Sequence, residues 1–213
     1  MITLYGNLAS GNVYKVRLLL AQLGLPHRRI EVSQVEGDTR RAAFRAVNPI
    51  GKVPAILLDD GRMLSESGAI LFHLARGTRF WPQDEWAQTE TLRWMFFEQY
   101  SHEPPIAGNR YILNFLADRS GLERVIAGNA ERGAHALAVM DGHLAGREWF
   151  AGDGYGIADI ALYAYTHVAP EGGFDLAPHR HVARWLEAVR AQPGHIALMQ
   201  ETSAIPVAPL PPG

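Results

Sequence analysis

The chain predicts an α/β unit followed by an all-helical unit, and three observations carry that reading. Over residues 1–76, short β-rich runs alternate with helix-period stretches in the order β-α-β-α-β-β-α. Past Gly77 and Pro82 the hydrophobic spacing is helical only. Charge changes sign at the same place: residues 1–80 hold 11 Lys+Arg against 6 Asp+Glu, whereas residues 81–213 hold 9 against 16.

Ile2–Tyr5 is rich in β-formers and reads as the first strand. From Asn12 the apolar positions Val13, Val16, Leu19, Leu20 and Leu23 fall at helical spacing, ended by Gly24 with Pro26 beyond. His27–Val32 alternates as a second strand, and two strands joined by such a helix make a parallel βαβ unit. Residues 33–47 are polar and loosely helical, and Asn48-Pro49-Ile50-Gly51 is a turn. A hairpin follows, with strands Ala55–Leu58 and Arg62–Leu64 joined by Asp59-Asp60-Gly61. Ser65 and Ser67 stand where the helix Ser67–Arg76 begins, so their hydroxyls can accept free backbone N–H groups. A helix start attracts carboxylate or phosphate, which makes Glu66-Ser67 a candidate for holding one end of a charged small molecule.

In the second half, Asp84–His102 carries Trp86, Leu92, Phe96, Phe97 and Tyr100 at helical spacing and is expected to stop at Pro104-Pro105. Further helices are expected over Ile106–Leu116, Leu122–Ala145, Ile157–His167, Val182–Gln192 and Ile196–Gln200. The reading is thus a domain over 1–80, a helical domain over 84–202, and a proline-rich tail over 203–213 without folded structure.

Composition narrows the function classes. With 213 residues, 47% of them hydrophobic, there is material for a packed core. The apolar runs are too short to cross a bilayer and the N-terminus lacks a signal-peptide pattern, so a cytoplasmic protein off the membrane is expected. Zero cysteines excludes disulfides, thiolate metal sites and cysteine nucleophiles. No basic run suggests nucleic acid, and the histidines form no metal-ligand cluster, so no metal is expected.

Four segments together resemble the cytosolic glutathione transferases, with features of the theta-, zeta- and nu-like bacterial classes. They are Ser10-Gly11-Asn12 leading into Tyr14-Lys15-Val16-Arg17, Asn48-Pro49-Ile50-Gly51-Lys52-Val53-Pro54, Glu66-Ser67-Gly68-Ala69-Ile70, and Ile157-Ala158-Asp159-Ile160. The resemblance covers about residues 1–200. It implies a thioredoxin-like first domain, an all-helical second domain carrying the second-substrate pocket, and glutathione as co-substrate. It also implies a homodimer and a role in detoxification.

Carried over residue by residue, the resemblance makes Val53-Pro54 a cis peptide that turns the Val53 backbone toward the cysteinyl part of glutathione. Glu66 then meets the γ-glutamyl ammonium, while Ser67 and the helix start meet its carboxylate. Lys52, one of two lysines in the chain, meets the glycyl carboxylate together with Arg40. Asp159 sits at the third position of a helix whose N-cap is Gly156, where the family pattern has Ser or Thr. It is read as structural, with the reciprocal capping bond missing.

The chemistry needs glutathione as thiolate, the nucleophilic form. Holding a thiol of pKa near 8.5 ionised at neutral pH takes roughly two units, or about 2.7 kcal/mol. One hydrogen bond to a charged acceptor supplies roughly 1.5–3 kcal/mol, and a helix N-terminus adds about 0.3–1 kcal/mol. One well-placed donor before the first helix is enough. The resemblance puts Ser10 first for this role, since its distance to Val16 aligns it with the serine of the theta- and zeta-like classes; Asn12 offers an amide as in nu-like enzymes, and Tyr5 resembles the tyrosine that other classes use but sits earlier, within the first strand. Phe96, Phe97, Tyr100, His102, Asn109 and Tyr111 are expected to wall the second-substrate pocket, and Glu98–Glu103 either to reach a neighbouring subunit's glutathione or to form dimer surface. The leading function is attack by the thiolate on an electrophilic small molecule. Glutathione-dependent disulfide or peroxide reduction, and a non-catalytic regulatory use of the scaffold, remain open.

Overall fold

β1 (Ile2–Tyr5) is the middle strand of a five-stranded sheet in the computed structural model, which describes residues 1–211. It pairs in parallel with β2 (His27–Glu31) and antiparallel with β3 (Ala55–Leu57), which pairs antiparallel with β4 (Met63–Ser65). The register Leu4 opposite Ile56, both fully buried, fixes which face of each strand meets the core. The connection between β1 and β2 is α1 (Gly11–Leu23). Ser10 caps its start, accepting the Val13 N–H, and Gly24 closes it in the left-handed conformation at φ 66°. A short 3₁₀ turn (Asp38–Arg40) and α2 (Ala42–Val47) precede β3, and α3 (Ser67–Ala75) follows β4. Val13, Val16 and Leu20 of α1, Phe44 of α2 and Ile70 of α3 close over the sheet as one apolar cluster.

Chain division differs from the expected boundaries at its far end. One unit is Met1–Arg76 together with the segment from Pro193 onward; the other is Gly77–Gln192. The stretch Ile196–Gln200 is not a helix, because its carbonyls serve side chains of α1 instead. The Tyr14 hydroxyl donates to the Ile196 carbonyl at 2.7 Å and Arg17 donates to that of Leu198 at 2.7 Å. Arg17 is fully buried, and desolvation pulls its pKa down to about 10. A guanidinium in that position needs acceptors, and an extended chain offers more of them than a helix does.

The proline-rich tail is likewise folded over the described residues. Ala204 N–H donates to the His27 carbonyl, and β5 (Ala208–Pro209) adds a parallel edge strand to β2. Leu210 is 5% exposed within the core cluster. Proline is tolerated on such an edge, where its missing N–H costs no ladder bond. Residues 212 and 213 of the expected tail lie outside the described residues.

In the second unit, α4 (Glu85–Phe97) does not stop at the double proline. It passes through one π-helical turn, Glu98–His102, into α5 (Glu103–Phe115), with the Glu103 N–H donating to the Glu98 carbonyl. The wider turn opens a new helix that begins at Glu103 and has Pro104 and Pro105 in its first turn, where no backbone N–H is required. α6 (Glu123–Leu144) pairs with α5, and α7 (Ile157–Thr166) is buried along all ten residues. A helix apolar all round belongs at the centre of its unit, and α7 packs against α4, α5 and α8 (Arg180–Arg190).

Asp159 is the one acidic residue in α7. Its carboxylate accepts from the Gly156 and Phe150 N–H groups at 3.0 and 3.2 Å and from the Trp185 indole at 2.9 Å. Gly156 contributes no side chain, so its backbone N–H supplies half of a capping box. Burial pushes the carboxyl up to about 7, against the pull of those three donors.

Candidate active site

α1 and α3 start side by side, and the sequence-predicted hydroxyl and amide groups meet there. Ser10 takes its place because Asn7 accepts its N–H at 3.0 Å while donating to the Val32 carbonyl at 3.1 Å. The Ser10 oxygen accepts the Val13 N–H at 3.3 Å, which leaves the hydroxyl proton as a donor. Asn12, two residues into α1, accepts the Ser67 hydroxyl at 3.1 Å and the Lys15 ammonium at 2.7 Å on the same amide oxygen. Ser67 is buried at the first turn of α3, so its hydroxyl and the free N–H groups of that turn face one small region.

Glu66, the N-cap of α3, has φ 66° and ψ 113° and is the one non-glycine residue with positive φ among those described. An L side chain in that conformation carries strain, a feature that concentrates at ligand sites. Its own side chain makes no capping bond and is exposed. Ser65 lies in β4 rather than at the helix start, which corrects its expected capping role.

The Val53–Pro54 bond is cis, and both residues are buried just ahead of β3. Asn48 organises the preceding turn: its amide donates to the Lys52 carbonyl at 2.7 Å and its oxygen accepts the Ile50 N–H. The Lys52 and Arg40 side chains are exposed on this unit, and neither forms an ion pair among the described residues.

Tyr5 is 7% exposed, with its ring 6.3 Å from that of Phe44, and belongs to the apolar cluster of the first unit. The six expected pocket residues are not gathered on one wall. His102 is fully buried with its ring on the Thr166 hydroxyl, Asn109 is buried against Ile126 and Asn129, and Phe97 stands edge-on to Trp94. Phe96, Tyr100 and Tyr111 are exposed. Asn7, Lys15 and Asn48 support the site although the sequence reading gave them no role. Lys15 had one visible signal, a charge inside an apolar helical run.

Among the described residues there is no group of three or more His, Cys, Asp or Glu placed to hold a metal ion. Among the same residues no helix is long and apolar enough to cross a membrane.

A mixed sheet flanked by α1, α2 and α3, joined in one chain to an all-helical unit, defines a thioredoxin-like domain followed by a helical domain. The glutathione S-transferase N-terminal domain family matches residues 9–76, and the glutathione S-transferase C-terminal domain family matches residues 105–193. The chain belongs to the glutathione S-transferase family. It is 31% identical over 200 residues to glutathione S-transferase GstB of Escherichia coli K12, covering 91% of this chain and 95% of the relative. It is 32% identical over 192 residues to the disulfide-bond oxidoreductase YfcG of the same organism, covering 85% and 87%. Its fold matches the crystal structure of a glutathione S-transferase from Pseudomonas fluorescens Pf-5 with a TM-score of 0.91 and 44% identity, covering 93% and 99%.

Proposed function

We propose that this protein binds glutathione on its first unit and ionises it for attack on an electrophilic small molecule. The observation that supports this most is the paired start of α1 and α3, where Ser10, Asn12 and Ser67 stand together. Glutathione is the co-substrate, and its γ-glutamyl carboxylate is taken by the Ser67 hydroxyl and the first turn of α3. Glu66, exposed at the N-cap, meets the ammonium. The Val53 backbone, beside cis-Pro54, faces the cysteinyl part, and Arg40 and Lys52 take the glycyl carboxylate. The sulfur lies at the start of α1, where Ser10 and Asn12 donate hydrogen bonds to the thiolate.

The test is calorimetric titration with glutathione followed by assay of the complex against an aryl halide. Binding with turnover of the halide is expected, and a protein that does not take up glutathione defeats the proposal. The second unit carries the electrophile pocket, and the working protein is a cytoplasmic homodimer with a role in detoxification. Exposed Phe96 and Tyr100 favour a subunit surface. Light scattering that finds a monomer removes that part.

A second reading is glutathione-dependent reduction of disulfides. The likeness to YfcG favours it, as does Asn12, whose amide suits a bound glutathione that itself exchanges with a disulfide. With no cysteine in the chain, every sulfur in that cycle comes from substrate. Comparing an aryl halide, a disulfide and an organic hydroperoxide at fixed glutathione separates the two readings.

A further inference from the structure

The loop from β1 to α1 is fastened to the end of β2 before it reaches Ser10. Gly6 donates its N–H to the Ile30 carbonyl at 3.0 Å, and its own carbonyl accepts the Arg29 guanidinium at 2.6 Å. The Gly6 backbone passes so close to α1 that a Cβ there would collide with the Val13 side chain. Asn7 carries this anchorage forward. Its NH2 group donates at 3.1 Å to the carbonyl of Val32, a fully buried residue, and its oxygen accepts the Ser10 N–H at 3.0 Å. One planar carboxamide thus joins the end of β2 to the N-cap of α1. Its two ends are assigned by their partners, since a carbonyl can only accept and an N–H can only donate. Ser10 in turn accepts the Val13 N–H on its Oγ at 3.3 Å, which leaves its hydroxyl hydrogen for another acceptor.

We infer that Asn7 is a positioning residue for the thiol: it fixes where the Ser10 hydroxyl stands, and so how well that hydroxyl donates to sulfur. This rests on the glutathione-thiolate reading above, with Ser10 as the donor. A hydrogen bond to an anion gains its strength from short distance and good alignment, and both are lost if the donor drifts. The cap bond to Val13 is a weak restraint on that drift, because 3.3 Å lies beyond the usual N–H···O range. Ser10 also has extended backbone, φ −75° and ψ 121°, so the helix ladder does not set its conformation. The bond from Asn7 supplies the missing restraint by tying the Ser10 backbone to a buried carbonyl 25 residues from Asn7 in sequence. In this role Asn7 acts through Ser10 and makes no bond to sulfur itself.

The alternative is that Asn7 only steadies the loop, which would lower the melting temperature and leave the thiol alone. The thiol of bound glutathione is titrated by its ultraviolet thiolate band in wild type, Asn7→Ala, Asn7→Ser, Ser10→Ala and the double variant, with affinity measured by calorimetry. Asn7→Ala is expected to raise the thiol pKa by about one unit, an about tenfold loss of thiolate well below it. The acid limb of the kcat profile should move with it while glutathione affinity stays within a few-fold. Asn7→Ser, whose hydroxyl makes the same turn bond more weakly, recovers part of the shift. In the Ser10→Ala background Asn7→Ala adds nothing further, because the group it positions is gone. A wild-type titration in Asn7→Ala, or a shift of full size that persists without Ser10, overturns the inference. If Asn7→Ala does not fold, Asn7→Ser carries the test, and an unmoved thiol in that variant overturns it. A wild-type thiol that titrates as in free glutathione overturns the parent reading and this inference together. Early ionisation in wild type that Ser10→Ala leaves unchanged overturns this inference and leaves the thiolate reading standing.

Discussion

Arg29 and Glu201 meet through two guanidinium nitrogens on one carboxylate oxygen, at 3.0 and 2.7 Å, across 172 residues of sequence. Arg29 is 4% exposed and also donates to the Gly6 carbonyl. Burial alone would raise the Glu201 pKa, but the bond to Arg29 and two backbone N–H groups outweigh it and the net shift is downward. A carboxylate held below its ordinary range contributes stability above its unfolded pKa and loses it as pH falls. Glu201→Ala should therefore destabilise the first unit by roughly 1–2 kcal/mol, discounted for the partial exposure of Glu201. The loss should fade toward acid pH. Urea unfolding at neutral and acid pH checks both statements.

Ser10 and Asn12 are separable by what else each does. Ser10→Ala removes a helix cap as well as a donor, so it should cost about 1 kcal/mol of stability and raise the bound thiol's pKa by more than about one unit. Asn12→Ala leaves the cap intact but takes the acceptor from the buried Lys15 ammonium and Ser67 hydroxyl, so it too should lower the melting temperature, and the thiol titration is what tells the two variants apart. If Ser10→Ala melts lower but its bound glutathione titrates as in wild type, the role passes to Asn12 or Tyr5.

Glu66 offers a test of strain against binding. Glu66→Gly frees a backbone position at φ 66° and should raise stability by roughly 1 kcal/mol, while glutathione affinity falls about tenfold with loss of the carboxylate, near 1.4 kcal/mol. Glu66→Ala should lose the same affinity without the gain in stability. Calorimetry and thermal melting read the two effects, and unaltered affinity in both variants removes Glu66 from the anchor.

Asp159 sets a pH dependence of the opposite sign to that of Glu201. Its carboxyl moves from an ordinary 3.8 to about 7 on folding, chiefly by burial. The folded state thus binds the extra proton between those values. Stability is full below 3.8, declines as pH rises through the window, and levels above about 7. Asp159→Asn should abolish that slope and lower stability at every pH, because an amide cannot accept from Phe150, Trp185 and Gly156 together. Denaturant midpoints measured from pH 4 to 8 in both proteins decide it.

Most of the first unit was legible because local signals agreed with the tertiary outcome. Ser10 and Gly24 mark the ends of α1 by capping chemistry that needs no distant partner. Asp59-Asp60-Gly61 places its hairpin for the same reason. The errors fall where distant groups decide. Ile196–Gln200 has helical spacing, but the buried Tyr14 and Arg17 claim its carbonyls. Pro104-Pro105 ends a helix by rule, and one π turn lets the rod continue.

By itself the sequence determined the α/β-then-helical order, the caps and turns, and the polar residues at the starts of α1 and α3, since all of these depend on neighbours within a few positions. Only the tertiary structure decided that Ala208–Pro209 adds an edge strand to β2, that Tyr5 is core, and that Lys15 and Ser67 both donate to the Asn12 oxygen. The physical reason is that a buried hydrogen-bonding group takes its partner from whatever the fold brings within about 3 Å, a distance unrelated to separation along the chain.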